Sequence, residues 1–263
     1  MIETAPRDVS DRRGNRLPDF QITTTVGGRS QRIYLHANRA IANQVKRSLG
    51  GSWSPLTLRA GDRGRWTDRI HVPGKVTPEI RRLLALLREV LTLEITRDLD
   101  LAIALDFYKT PDDELPPDQW PNTEVGDLIN RGKYHREPTA AELAGRMAHV
   151  CVCHPAYRAA SRVIAVPGTE HDYGEKLAGE LAHAVHIPLA CAERMDGGGP
   201  AKSASGDTSM RFHIDTRLAG TVIIADDVYW TGGTMNGVAR AARAAGASTV
   251  LGLVGARNLR LGR

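Results

Sequence analysis

Cysteine is scarce in this chain, with three residues in 263. Three thiols cannot all pair, so a disulfide-stapled secreted scaffold is excluded and a reducing cytoplasm is the expected setting. No apolar run approaches the roughly 20 residues that cross a bilayer, so no membrane partner is expected. The opening stretch, MIETAPRDVSDRRGNR, lacks the apolar centre of a secretory signal. Repeated metal-ligand spacings are missing as well. His149, Cys151, Cys153 and His154 cluster, but Cys-x-Cys-His at a helix end cannot easily point three ligands at one ion. No second cysteine pair completes a structural zinc site, and small buried thiols with a helix-terminal histidine account for the cluster.

Hydrophobic residues make up 41% and charged residues 25%, an ordinary globular balance. The net charge of +5 is unevenly placed. Residues 1–75 hold 14 Lys and Arg against 6 Asp and Glu, and the remainder holds 21 against 24. A basic segment of this kind attracts nucleic acid or a polyphosphate, or simply forms a solvated arginine-rich surface. Composition does not choose among these.

Along the chain, residues 1–19 are polar and arginine-rich and read as a mobile basic tail. Residues 20–34 alternate around Val26-Gly27-Gly28-Arg29, the pattern of a β-hairpin. A helix is expected over 37–49, strand-like runs over 56–72, and a second helix after Thr77-Pro78-Glu79 with Thr77 as its N-cap. A strand is expected over 101–107, a proline-rich loop over 109–121, and a weak polar helix over 124–134. Trp53, Trp66 and Trp120 read as packing residues. From Pro138 onward the pattern becomes a regular α/β alternation: helix 140–151, strand 162–167, helix 173–185, strand 187–192, a polar Gly-rich stretch, and a last strand over 249–255. The expected fold class is α/β, a doubly wound, mostly parallel sheet. The expected division is a tail (1–19), an N-terminal α+β extension (20–137) and an α/β domain (138–263).

The centre of the α/β pattern is TVIIADDVYWTGGTM, residues 221–235. Val222, Ile223, Ile224 and Ala225 form the uninterrupted apolar run of a strand buried on both faces. Asp226 and Asp227 are expected to follow at its C-terminal end. Thr231-Gly232-Gly233-Thr234 then opens a helix whose Val238, Ala241, Ala242 and Ala245 share one face, with Gly246 at the C-cap. Ligands of open α/β sheets bind beyond the carboxyl ends of the strands. A Thr/Gly turn at a helix N-terminus suits a phosphate monoester, and adjacent carboxylates suit a vicinal diol. A sugar 5′-phosphate carrying a diol satisfies the whole stretch.

This stretch resembles the phosphoribosyl pyrophosphate (PRPP) motif of type I phosphoribosyltransferases, and residues 138–257 resemble that family's core. The nearest branch is the ComF-like one, through Val166-Pro167, the 173–185 helix and the 193–211 loop, although its N-terminal four-cysteine zinc motif is missing. The resemblance implies that Asp226 and Asp227 are the catalytic carboxylates and bind the ribose hydroxyls, while Thr231, Gly232, Gly233 and Thr234 hold the 5′-phosphate. It places pyrophosphate on the loop of Pro167, Gly168 and Thr169. A closing loop over 193–211 would offer Lys202 and Arg211 as cations. Mg²⁺ would be the cofactor, held chiefly by pyrophosphate and ribose oxygens, with Asp226 and Asp227 assisting indirectly. Trp230 stands where relatives carry a carboxylate or small hydroxyl residue. It either stacks on an aromatic acceptor or plugs the site.

Two functions follow. One is Mg²⁺-dependent transfer of ribose 5-phosphate from PRPP to a small nitrogenous acceptor, with release of pyrophosphate, by a cytoplasmic homodimer. The other is a non-catalytic PRPP- or nucleotide-sensing or nucleic-acid-associated regulatory protein on the same fold. The basic N-terminal region and Trp230 favour the second; the acidic pair and Thr/Gly loop fit both.

Overall fold

A computed structural model describes residues 16–95, 98–168, 171–195 and 212–259. The chain divides into two compact units at Thr92/Leu93.

In the first unit, β1 (Asp19–Thr24) and β2 (Ser30–His36) form the hairpin legible in the sequence, with Gly27 and Gly28 at positive φ in its turn. Helix α1 (Arg39–Ser48) is capped by the Asn38 side chain, which accepts from the Ile41 amide. The expected strand pair over 56–72 reduces to a two-residue β3 (Ser54–Pro55) and β4 (Asp68–Pro73), because a 3₁₀ turn at Ala60–Asp62 occupies the space between. Helix α2 (Pro78–Glu89) begins at Thr77, whose hydroxyl accepts from the Ile80 amide. A two-residue strand β5 (Leu91–Thr92) ends the unit. The antiparallel sheet runs β1-β2-β4-β3. Its Ile33, Leu35, Ile70 and Val72 share one core with Ile41 and Val45 of α1 and Ile80, Leu83, Leu84 and Leu87 of α2. Both helices therefore cover the same sheet face.

The second unit starts at Leu93, well before the expected boundary at 137/138. The reason is β6 (Leu101–Phe107), which pairs in parallel with the last strand and so belongs to the α/β sheet. The following elements are α3 (Glu124–Tyr134), α4 (Ala140–Cys153), the single turn α5 (Pro155–Arg158), β7 (Ala160–Ala165), α6 (Tyr173–Ala184), β8 (Leu189–Cys191), β9 (Glu193–Arg194), β10 (Phe212–His213), β11 (Thr221–Tyr229), α7 (Gly233–Ala244) and β12 (Thr249–Arg257). The strands lie in the order β6-β12-β11-β7-β8, all parallel, with β11 near the middle.

Helices cover both faces of this sheet. A Cβ on Gly252 would run into Met235 of α7, whereas a Cβ on Gly255 would press on Ile129 of α3 and Leu143 of α4. Residues of opposite parity on one strand point to opposite faces, so α7 lies across the sheet from α3 and α4. The doubly wound, mostly parallel α/β class is thus observed. Val222, Ile223, Ile224 and Ala225 are fully buried, as two covered faces require.

Candidate functional site

Strand β11 is longer than its apolar run suggests. It extends to Tyr229, so Asp226 and Asp227 lie within the strand instead of following it. On one side β12 accompanies it throughout, pairing Asp226 with Val254 and Tyr229 with Arg257. On the other side β7 stops at Ala165, opposite Ala225. The two carboxylates therefore begin where one neighbour ends, in the notch at the carboxyl end of the sheet where α/β ligands bind.

The pair is largely shielded from solvent. Asp227 is 7% exposed, and its Oδ2 lies 2.7 Å from Nζ of Lys133 on α3. Its Oδ1 accepts from the Val228 amide at 2.7 Å. Burial alone would depress the Lys133 pKa, but the charge and hydrogen bond of Asp227 outweigh it and leave it raised. Oδ1 of Asp226 accepts from the Asp227 amide at 2.9 Å. Burial first, and the adjacent Asp227 charge second, push the Asp226 carboxyl well above the usual carboxylate range. A Cβ on Gly174 would come within 3.2 Å of Asp226 Oδ1, so the missing side chain lets the first turn of α6 approach that carboxyl group.

Lys133 is held in place by its helix. Thr123 caps α3 by accepting from the Gly126 amide. Gly132 leaves room for the Tyr173 ring, with which a Cβ would collide. Tyr173 Oη and Thr139 Oγ1 share a hydrogen bond of 2.9 Å, and Thr139 donates to the Leu128 carbonyl at 2.8 Å. Sequence reasoning passed over Lys133 as part of a weak polar helix. The available signal was its phase: with Val125 and Ile129 it falls at successive i+4 positions, on the stripe that faces the sheet.

The Thr/Gly loop has the expected form. Gly232 adopts φ +78° and precedes α7, and the Thr231 hydroxyl accepts from the Gly233 amide at 3.3 Å. A Cβ on Gly232 would strike Tyr229 Oη, so the Tyr229 ring fills the space the glycine leaves. Burial raises the Tyr229 pKa against the opposing charge of Arg257, its neighbour on β12. Nη1 of Arg257 is shielded from solvent and has no acceptor among the described residues. The sequence offered no sign of this arginine, because it reaches the loop only through the register of β12 against β11. Trp230 is 64% exposed.

On the loop after β7, Pro167 and Gly168 are described, and Thr169 lies outside the described residues. The Gly168 amide, expected to face an anion, donates to the Glu175 carboxylate of α6 at 3.0 Å. Lys202 and Arg211 also lie outside the described residues. The two ends of that expected loop pair as the antiparallel strands β9 and β10.

The cysteine–histidine cluster does not converge. Cys153 Sγ is 3.6 Å from His149 Nε2, while His154 Nδ1 accepts from the Ala156 amide. Burial pulls His154 down to about 4 and pushes the Cys151 thiol up to about 12. Among the described residues, no three of His, Cys, Asp and Glu form a group that could hold a metal ion. Also among them, no helix is long and apolar enough to cross a membrane.

No family model matches the chain, and no curated protein matches it either. Among solved structures, it is similar to an adenine phosphoribosyltransferase of Leishmania tarentolae, with 13% identity and a TM-score of 0.39 over 64% of this chain and 94% of the other. A purine phosphoribosyltransferase of Pyrococcus horikoshii Ot3 matches with 22% identity and a TM-score of 0.32, over 43% and 68%. An orotate phosphoribosyltransferase of Aeropyrum pernix matches with 24% identity and a TM-score of 0.32, over 46% and 60%. The fold assignment rests on the strand order and the two-sided helix placement.

Proposed function

We propose that the chain binds PRPP at the carboxyl end of its parallel sheet and transfers ribose 5-phosphate to a nitrogenous acceptor. The observation that carries this reading is the co-location, on one strand and the turn after it, of a carboxylate pair in an open notch and a glycine at positive φ opening a helix. The carboxylates suit the ribose diol, and the first turn of α7 suits the 5′-phosphate. Arg257 adds a guanidinium nitrogen that lacks an acceptor and would gain one from an anion. In the transfer, the C1–O bond to pyrophosphate breaks with its electron pair, a C1–N bond forms, and the acceptor nitrogen loses a proton to solvent. The chain's share is positioning and stabilising developing charge.

Mg²⁺ enters this reading with the substrate. The carboxylates supply hard oxygen donors, but two of their oxygens accept amide hydrogens and one is engaged by Lys133. The pair thus fits a metal only when pyrophosphate and ribose oxygens complete the set. The ComF-like branch, a cytoplasmic setting and a homodimer belong to the same proposal.

A second reading is a PRPP- or nucleotide-sensing protein without turnover. It is favoured by two internal contacts: an ammonium already sits on Asp227, and a carboxylate already sits on the Gly168 amide. Calorimetry with PRPP, with and without Mg²⁺, followed by pyrophosphate release against a panel of bases, separates them. Binding with release supports the transferase and binding alone supports the sensor. No binding overturns both.

A further inference from the structure

Among the described residues, both helices of the first unit lie on one face of its antiparallel sheet and none lies on the other. We propose that this other face binds single-stranded nucleic acid, with arginines taking the phosphates and the Tyr34 ring and the Arg65 guanidinium plane taking the bases. Residues 16–92 hold 14 Lys and Arg against 5 Asp and Glu. Since Ile33, Leu35, Ile70 and Val72 point to the helices, the alternate residues point away. Register sets them in two rows across three strands: Gln21, Tyr34 and Arg69, then Thr23, Arg32 and His71. Neither row contains a carboxylate; the adjoining Asp19–His36 pair on this face does, and Asp19 lies 3.5 Å from the Arg65 guanidinium.

The segment preceding β4 adds to this face. Trp66 is buried and packs on Tyr34 with ring centroids 5.8 Å apart, so it backs this face and does not itself meet a base. The Arg65 guanidinium lies 4.7 Å from the Trp66 ring centre, and that of Arg69 lies 5.6 Å from Tyr34. The Arg65 side chain is 69% exposed, so its plane is stacked on one side and presented to solvent on the other. Bases stack on such guanidinium planes as they do on aromatic rings. Nε of Arg32 and Nε of Arg69 are shielded from solvent and have no acceptor among the described residues, and Nη1 of Arg69 donates to the Thr57 carbonyl at 3.0 Å, so a phosphate would be met by the remaining outer guanidinium nitrogens. Unpaired bases are required because a duplex hides their faces, so a single strand is the occupant that uses both the stacking surfaces and the charge. None of these residues belongs to the carboxylate notch, and the two proposals stand or fall separately.

The test is fluorescence anisotropy of the full chain with labelled 12-nucleotide oligo(U) and oligo(dT), over a salt series. The expected result is salt-sensitive binding of at least one single strand in preference to a mixed-sequence duplex of equal length. Arg32→Ala/Arg65→Ala/Arg69→Ala should weaken it at least ten-fold and flatten the salt slope by about two, at about 0.7 for each phosphate no longer neutralised. Tyr34→Leu should weaken it with the slope unchanged. Arg65→Ala alone, at an exposed position, should show the same direction if the triple variant folds poorly. Arg39→Ala/Arg81→Ala/Arg82→Ala, exposed on the helical side, is the charge-matched control. Equal weakening in the control, equal binding of duplex, displacement by polyglutamate at matched charge, or no binding would each overturn the proposal.

Discussion

The ammonium of Lys133 and the carboxylate of Asp227, separated by 94 positions in the chain, meet at 2.7 Å in the notch beside β11. Both are largely shielded, with 26% and 9% of their side chains exposed. A pair this enclosed is costly to break from one side, because the partner left behind keeps its charge without water. The same contact stands where the proposed substrate would place its hydroxyls.

Lys133→Met and Asp227→Asn should therefore each destabilise the ligand-free protein by about 1–3 kcal/mol. The double variant should lose less than the sum, since neither charge is then stranded. Urea unfolding of the four proteins closes the cycle. Strict additivity would mean that the pair contributes no coupling.

Asp226 should behave in the opposite way. Its folded-state pKa is raised, so the folded chain holds this proton more tightly than the unfolded chain does. Stability then falls as pH rises from about 4 through the raised value. Asp226→Asn should remove that slope and stabilise the ligand-free protein at neutral pH, while PRPP binding weakens ten- to a hundred-fold. Melting curves between pH 4 and 8 with and without PRPP test both. An unchanged pH slope would show that Asp226 ionises without cost.

Gly232→Ala should cost about 1–2 kcal/mol for its left-handed backbone, plus the collision with Tyr229. Adding Tyr229→Ala should return the steric part and leave the backbone part. Thermal unfolding of the single and double variants separates them.

Thr234→Val and Arg257→Met should each lower PRPP affinity by about ten- to a hundred-fold, the worth of one hydrogen bond to a charged group. Far-UV circular dichroism should be unchanged. Calorimetry showing parental affinity in both variants would remove the helix turn and its neighbouring strand end from the phosphate site.

The sequence by itself determined the elements and the chemistry of the central stretch. The fully apolar Val222-Ile223-Ile224-Ala225 run demanded a strand covered on both faces, and Thr231-Gly232-Gly233-Thr234 marked a turn into a helix, because both signals are local. Thr77 and the Gly27-Gly28 turn were legible for the same reason. What tertiary structure decided were relations between distant residues. The register of β11 against a long β12 and a short β7 placed the carboxylates inside a strand yet beside an open notch. Pairing of β6 with β12 moved residues 93–137 into the α/β unit, which no composition shift announced. The placing of Lys133 on Asp227, Glu175 on the Gly168 amide and Arg257 beside Tyr229 depends on the folding of whole helices and strands. Electrostatic partners are chosen by proximity in space, and a one-dimensional pattern carries residue spacing along an element but not the identity of what that element packs against.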